Sequence, residues 1–376
     1  MRRAVSAAAL VAALALVAGC GEEPHPAGGD HVEPGSGKSS AAAQASGGAA
    51  SPTGTGAGAA APGTTFTVAF AGDVHFEGRT EARLNLKAPE QALGPISKKL
   101  ADADLSVLNL ETAITERGAP EVKTYTFRTP ARSLKVLQDS GVDVVSLANN
   151  HAVDFGQPGL TDTLAAKASS PIPVVGIGKD AAEAFTPYVA DVKGVKVAVV
   201  AASQVDEETN RKWRAGAGKA GIASALDEAA LLKAVTQAKA QAPVVLVYLH
   251  WGEEGKACPT AGQTSIAKKL SAAGATAVVG THAHTMLGAG MLGSTYVAYG
   301  FGNFLWYGTS SYANSNETGV TTLTLTAEGK VTGEEFTPAQ ISGQGVPVPE
   351  TGAQAAASLK RRDGLRGCTG LAPVPK

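Results

Sequence analysis

From Thr64 onward, short apolar runs rich in Val, Leu, Ala and Phe alternate with longer stretches of helical pattern, and this alternation restricts the chain to an α/β fold. The runs at 66–71, 105–108, 142–147, 195–201, 244–249, 275–279 and 295–299 read as strands. They are apolar on both faces, as strands of a parallel sheet covered on both sides are. Helical patterns fill 91–101, 131–140, 227–241 and 264–273; Asp227 is placed as an N-cap, and Pro243 stops that third helix before the next strand. Segments 320–326 and 331–336 flank Ala327-Glu328-Gly329-Lys330 and predict a hairpin. The expected architecture is a layered α/β sandwich with helices outside, spanning 64–340. The Pro/Gly-rich segment 341–376 is expected to run over the surface as a tail.

Of 376 residues, 44% are hydrophobic and 17% charged, so the chain can bury a substantial core. A formal net charge of -1 provides no basic footprint, and no nucleic-acid partner is expected. At the N-terminus, Met1-Arg2-Arg3 precedes an apolar run over 4–17 that is too short for a spanning helix and reads as a secretory signal. Leu16-Val17-Ala18-Gly19-Cys20 resembles the bacterial lipobox, in which the Cys is acylated and becomes the mature N-terminus. Residues 1–20 are therefore expected to be a lipoprotein signal peptide, with lipidated Cys20 holding the protein at the outer face of the cytoplasmic membrane in the cell envelope. The Gly/Ala/Ser/Pro-rich segment 21–63 cannot bury enough apolar surface to offset its ordering entropy and is expected to be a disordered tether. About 40 flexible residues span roughly 35 Å. Cys258 and Cys368 are the two remaining cysteines; in an oxidising compartment, without a C-x-x-C spacing, they are expected to form a disulfide.

Histidine placement carries the functional signal. His75, His151, His250, His282 and His284 each lie just past the end of a predicted strand, where open α/β sheets bind ligands. Their neighbours include Asp73, Glu111 and Asn150. Carboxylate, amide oxygen and imidazole together suit Mn, Fe or Zn, whereas Ca and Mg sites are dominated by oxygen. Alternation along an extended segment puts Asp73 and His75 on one side, and likewise His282 and His284, so two pairs could serve two metals. Around them, Trp251 is expected to pack at the pocket rim, Glu253 or Glu254 could orient a ligand imidazole, Arg79 could meet an anionic group, and Asn303 and Asp154 are expected to hold loops together.

Gly72-Asp73-Val74-His75, Asn149-Asn150-His151 and Gly280-Thr281-His282-Ala283-His284 are similar to motifs of the calcineurin-like metallophosphoesterase superfamily. Asn109-Leu110-Glu111, Asp154-Phe155-Gly156, His250-Trp251-Gly252-Glu253-Glu254 and Gly302-Asn303-Phe304 more closely resemble the bacterial capsule-synthesis protein CapA family, linked to poly-γ-glutamate capsules. The resemblance covers roughly 65–336. It implies an α/β/β/α sandwich of metallophosphoesterase type and two divalent metal ions. Asp73, His75 and His284 would hold one, Asn150, His250 and His282 the other, and Glu111 would bridge them in place of the superfamily's Asp. It also implies that His151 is a general acid.

Two functions follow. One is a metal-dependent hydrolase of phosphoesterase type that activates water against a phosphoryl or acyl centre, serving capsule polymer synthesis or export. The other is a non-catalytic surface scaffold, with structural metals, that binds or guides an anionic polymer or the capsule-synthesis machinery. For either, Cys20→Ser is expected to release or misprocess the protein; membrane fractionation and mature mass check this, and no change in both contradicts lipidation.

Overall fold

The computed structural model describes residues 60–61, 63–307 and 312–375, and the signal, Cys20 and the tether up to 59 lie outside them. Two sheets face each other. In the first, the order is Pro347–Pro349, Val331–Ile341, Glu317–Thr326, Thr65–Val74, Leu105–Leu110, Val144–Ser146, Val174–Val175, and Asn303–Leu305 joins the end of Thr65–Val74. The second runs Ala289–Leu292, Thr295–Ala298, Ala277–His282, Val244–Trp251, Val195–Ser203, Tyr188–Val192.

Because strand side chains alternate between faces, each sheet feeds two cores. Phe66, Val68 and Phe70 from the first sheet meet Val197, Leu246 and Tyr248 from the second in the central layer. Opposite faces carry Ala69, Leu108 and Val145 under Leu100, Leu137 and Leu160 of three helices, and Val200, Val247 and Val278 under Leu231, Val235 and Ile266 of two more. The result is the expected α/β/β/α sandwich.

The seven expected strands and the hairpin all form, most of them longer than their apolar runs. Asp227 caps Glu228–Gln241 by accepting from the Ala230 amide at 3.0 Å. Thr260 opens Ala261–Ala272 with a capping box closed by Gln263. The helix expected at 91–101 is broken: Pro89–Gln91 is a 3-10 turn, and an α-helix resumes only at Ser97–Ala101. Gly94, at φ +77°, and Pro95 interrupt it. Helix Gly156–Ala168 was hidden in the sequence by Gly156, Pro158 and Gly159 in its first turn.

The segment 341–375 is structured, with most of its residues exposed. Pro347–Pro349 adds an edge strand, Gly352–Leu365 is a helix, and Ala372 bridges Met291. Arg362 of that helix is buried, paired with Glu334 and stacked over Phe336, 4.5 Å from the ring centre. The Cys258–Cys368 disulfide forms, with Cα atoms 5.8 Å apart. It closes a separation of 110 residues, for which chain entropy alone predicts a stabilisation of about 4–5 kcal/mol. Replacing both cysteines by serine should therefore lower the thermal midpoint by several degrees without changing the far-UV spectrum; an unchanged midpoint contradicts this.

Candidate metal centre

The parallel strands of both sheets end at one edge, and the candidate residues are delivered there. Asp73 closes Thr65–Val74, Glu111 follows Leu105–Leu110, Asn150 and His151 follow Val144–Ser146, His250 lies in Val244–Trp251, and His282 ends Ala277–His282. Close approach at Gly72 makes this possible. A Cβ there would lie 2.0 Å from the Gly302 carbonyl oxygen, so only glycine lets Asn303 pair beside Asp73.

The expected alternation at His282 and His284 does not occur. Both residues have positive φ, +96° and +54°, an uncommon backbone for any residue but glycine. The chain turns rather than extends, and that turn, not strand periodicity, keeps both rings at the centre, 5.9 Å apart.

Asp73 and Glu111 are fully buried. The Asp73 carboxylate accepts from Asn109 Nδ2 at 2.8 Å and from the His282 amide at 3.2 Å. Neither oxygen of Glu111 has a hydrogen-bond partner. Ligand atoms of Glu111, His250 and His282 lie within 4.8 Å of one another, and so do those of Asp73, Glu111 and His284, so Glu111 belongs to both groups. Asn150 Oδ1 is 2.8 Å from His250 Nε2, which is also 3.1 Å from His282 Nδ1 and 3.5 Å from Glu111. Polar atoms this convergent, and this poorly hydrogen-bonded, are the arrangement of a cation site.

Second partners orient the rings. His284 Nδ1 donates to Asn303 Oδ1 at 2.8 Å, which leaves the Nε2 lone pair free. His250 Nδ1 faces Thr281 Oγ1 at 3.1 Å. His75 differs: its Nδ1 accepts the Glu77 amide at 3.0 Å, so the ring proton is on Nε2, a buried group without a partner. His75 lies among Phe127, Trp306 and Tyr307, with ring centres 4.3–4.7 Å away, and to act as a ligand it must give up that amide. His151 Nδ1 donates to Asp154 at 2.5 Å, while Nε2 looks toward Glu111 at 3.8 Å. Lys123 in turn donates to Asp154 at 2.8 Å and to the Asn150 carbonyl at 2.6 Å.

Burial dominates the electrostatics. It pushes Asp73 up to about 6, with help from Glu111, and pushes Glu111 up to about 7, with help from Glu254. Burial lowers His250 to about 4 and holds His75, His151 and His282 well below the usual imidazole range. For His284, burial is outweighed by Glu111, Asp73 and Glu254, and its affinity for a proton rises. Ionising two buried carboxylates here costs free energy that a nearby cation would offset.

Among the remaining candidates, Glu254 is closer than expected: it is partly exposed, 4.0 Å from His284 Nε2, and forms a third group with His282 and His284. Trp251 is not at a rim but wholly buried, donating to the Tyr299 carbonyl at 2.9 Å. Arg79 is exposed and donates to the Gly343 carbonyl. Sequence reasoning missed Lys123, Thr281 and Glu207, which accepts from Asn150 Nδ2 at 3.1 Å. Asn109 and Asn149 stood inside motifs, yet their role as linked donors to Asp73 and the Leu110 carbonyl needed three dimensions.

A layered α/β domain with a buried carboxylate–imidazole cluster able to hold divalent cations is thus the class that fold and site define. Residues 67–307 match the family model described as bacterial capsule synthesis protein PGA_cap, and the chain belongs to that family. It is 28% identical over 243 residues to the PGA biosynthesis protein CapA of Bacillus subtilis, covering 64% of this chain and 63% of that protein. It is 25% identical over 250 residues to the capsule biosynthesis protein CapA of Bacillus anthracis, covering 64% and 59%. The chain thus spans about three fifths of the length of these relatives. Among solved structures, the calcineurin-like phosphoesterase YfkN from Bacillus subtilis matches with a TM-score of 0.47 and 16% identity, over 81% of this chain and 98% of that one.

If Asn303 fixes the His284 ring, Asn303→Ala should weaken divalent-metal binding by about 10- to 100-fold, as loss of a ligand's orienting partner does. A competition titration against a metallochromic chelator measures it, and unchanged affinity contradicts the assignment.

Proposed function

We propose that this is an exported, lipid-anchored, CapA-like protein whose dinuclear, hydrolase-type metal centre serves the synthesis or export of poly-γ-glutamate or another capsule polymer. The observation that carries the metal reading is Glu111: a buried carboxylate with two unpartnered oxygens, common to two ligand groups. In this reading Asp73, His75 and His284 would hold one ion and Asn150, His250 and His282 the other, with Glu111 common to both. Bound Mn, Fe or Zn would supply Lewis-acid polarisation of a phosphoryl or acyl oxygen and a lowered pKa for water. Attachment is assigned to lipid on Cys20, on the strength of the lipobox-like run Leu16-Val17-Ala18-Gly19-Cys20.

The protein's own groups divide the remaining work. His151 rests neutral, because burial first and Lys123 second disfavour its charge, with its Nδ1 proton on Asp154. Burial pushes Asp154 up to about 6, so it is still mostly ionised at neutral pH and placed to stabilise the imidazolium when Nε2 takes the proton that the attacking water gives up. Nε2 then donates that proton to a leaving group. Asn109 and Asn149 hold the Asp73 and Glu111 strand ends in register while this happens.

The reading requires two variants to differ in kind. Glu111→Ala should lose most of both metals, since each would lose a charged oxygen ligand. His151→Ala should keep its metals yet lose about 10²- to 10⁴-fold in rate on any phosphoester or γ-glutamyl peptide the wild type cleaves. Metal analysis beside turnover decides it: full metal content in Glu111→Ala overturns the ligand assignment, and full activity in His151→Ala favours the scaffold.

A further inference from the structure

We infer that the cavity over His151 selects a substrate carrying a primary ammonium group close to its reacting carbonyl or phosphoryl centre. This rests on the metal reading above and extends it to substrate class. The cavity, about 550 Å³, is lined by Asn150 and His151 at its base and by charged side chains around its mouth.

Its cations are already committed. Lys123 is held by Asp154 and the Asn150 carbonyl, and Arg211 by the Asp206 carboxylate at 3.0 Å and the Asp206 carbonyl at 2.8 Å. The lining sets four carboxylates, Asp206, Glu207, Glu208 and Glu254, against those two cations. Glu207 accepts from Asn150, Glu254 accepts from the Tyr312 hydroxyl and lies 4.0 Å from His284 Nε2, and Glu208 makes no side-chain hydrogen bond among the described residues. Beneath the floor that Asn150 and His151 form, Glu111, fully buried and without a hydrogen bond, lies 3.8 Å from His151 Nε2.

With divalent cations on that floor, the base is positive and the mouth negative. An electron-rich reacting oxygen is drawn inward, and the group flanking it at the mouth must be positive or neutral; like-charged groups are excluded. Tyr125 lines the cavity with 61% of its surface exposed and offers a ring face, which also favours a cation. In a γ-linked glutamyl chain, interior units present an uncharged amide and a carboxylate, and only the amino-terminal unit carries an ammonium group. The same chemistry occurs in an aminoalkyl phosphoester.

Calorimetric binding to the full-length, manganese-loaded protein tests this with two ligand pairs: a γ-glutamyl trimer with free or acetylated amino terminus, and phosphoethanolamine against ethyl phosphate. The ammonium-bearing member of at least one pair should bind about tenfold more tightly, with the preference reduced in Glu208→Gln and at high salt. The pair that discriminates identifies the source. Equal or weaker binding of the ammonium-bearing member in both pairs, or no binding by any ligand, overturns the inference. Turnover in the same samples separates the two readings: ammonium preference without hydrolysis contradicts only the hydrolase, and hydrolysis without preference contradicts only this selection.

Discussion

The structure depends on one buried charge problem. Glu111 and Asp73 are fully buried at the meeting point of two sheets, yet Glu111 has no hydrogen bond to either oxygen. An unpaired buried carboxylate costs far more than one hydrogen bond is worth, and natural structures keep such groups where something else completes them. Burial depresses the proton affinity of His75, His151, His250 and His282, and His284 is the one imidazole that the two carboxylates draw toward a charge. A divalent cation would balance both carboxylates, because it favours ionised carboxylates and neutral imidazoles together.

Much of the surrounding framework maintains that arrangement. The Asn149–Asn109–Asp73 chain of hydrogen bonds ties three adjacent strands of the first sheet to a common edge. Across the central layer, Tyr248 of the second sheet donates to the Ala71 carbonyl at 2.6 Å, and the His282 amide reaches Asp73. These polar links fix the separation of the sheets where hydrophobic packing alone would allow sliding. The left-handed residues His282 and His284 store backbone strain at the place where the ligands converge. The glycine contacts at Gly72 and Gly280 belong to the same design, since a Cβ at Gly280 would lie 2.3 Å from Trp251 Nε1.

Strands and their order of chemistry were legible because long apolar runs and strand-end histidines are local signals. The helix cap at Asp227 was legible for the same reason, and the disulfide because Cys258 and Cys368 were the two cysteines left after Cys20. What escaped was non-local. Helix Gly156–Ala168 begins with residues that usually break helices, and helix Gly352–Leu365 is anchored by Arg362 to Glu334, a contact no periodicity announces. Trp251, expected at a rim, is turned inward against Tyr299 by the strand's alternation. Lys123 escaped because it reaches Asp154 from a loop 31 residues away, and the tautomer of His75 escaped because the Glu77 amide sets it.

The account turns on Glu111 being shared between two ions. Crystals of the full-length protein grown with manganese, measured for anomalous scattering, test that directly. Two peaks about 3.5–4 Å apart, both within bonding distance of the Glu111 carboxylate, are the predicted result. A single peak, or two peaks of which one has no contact with Glu111, would contradict it.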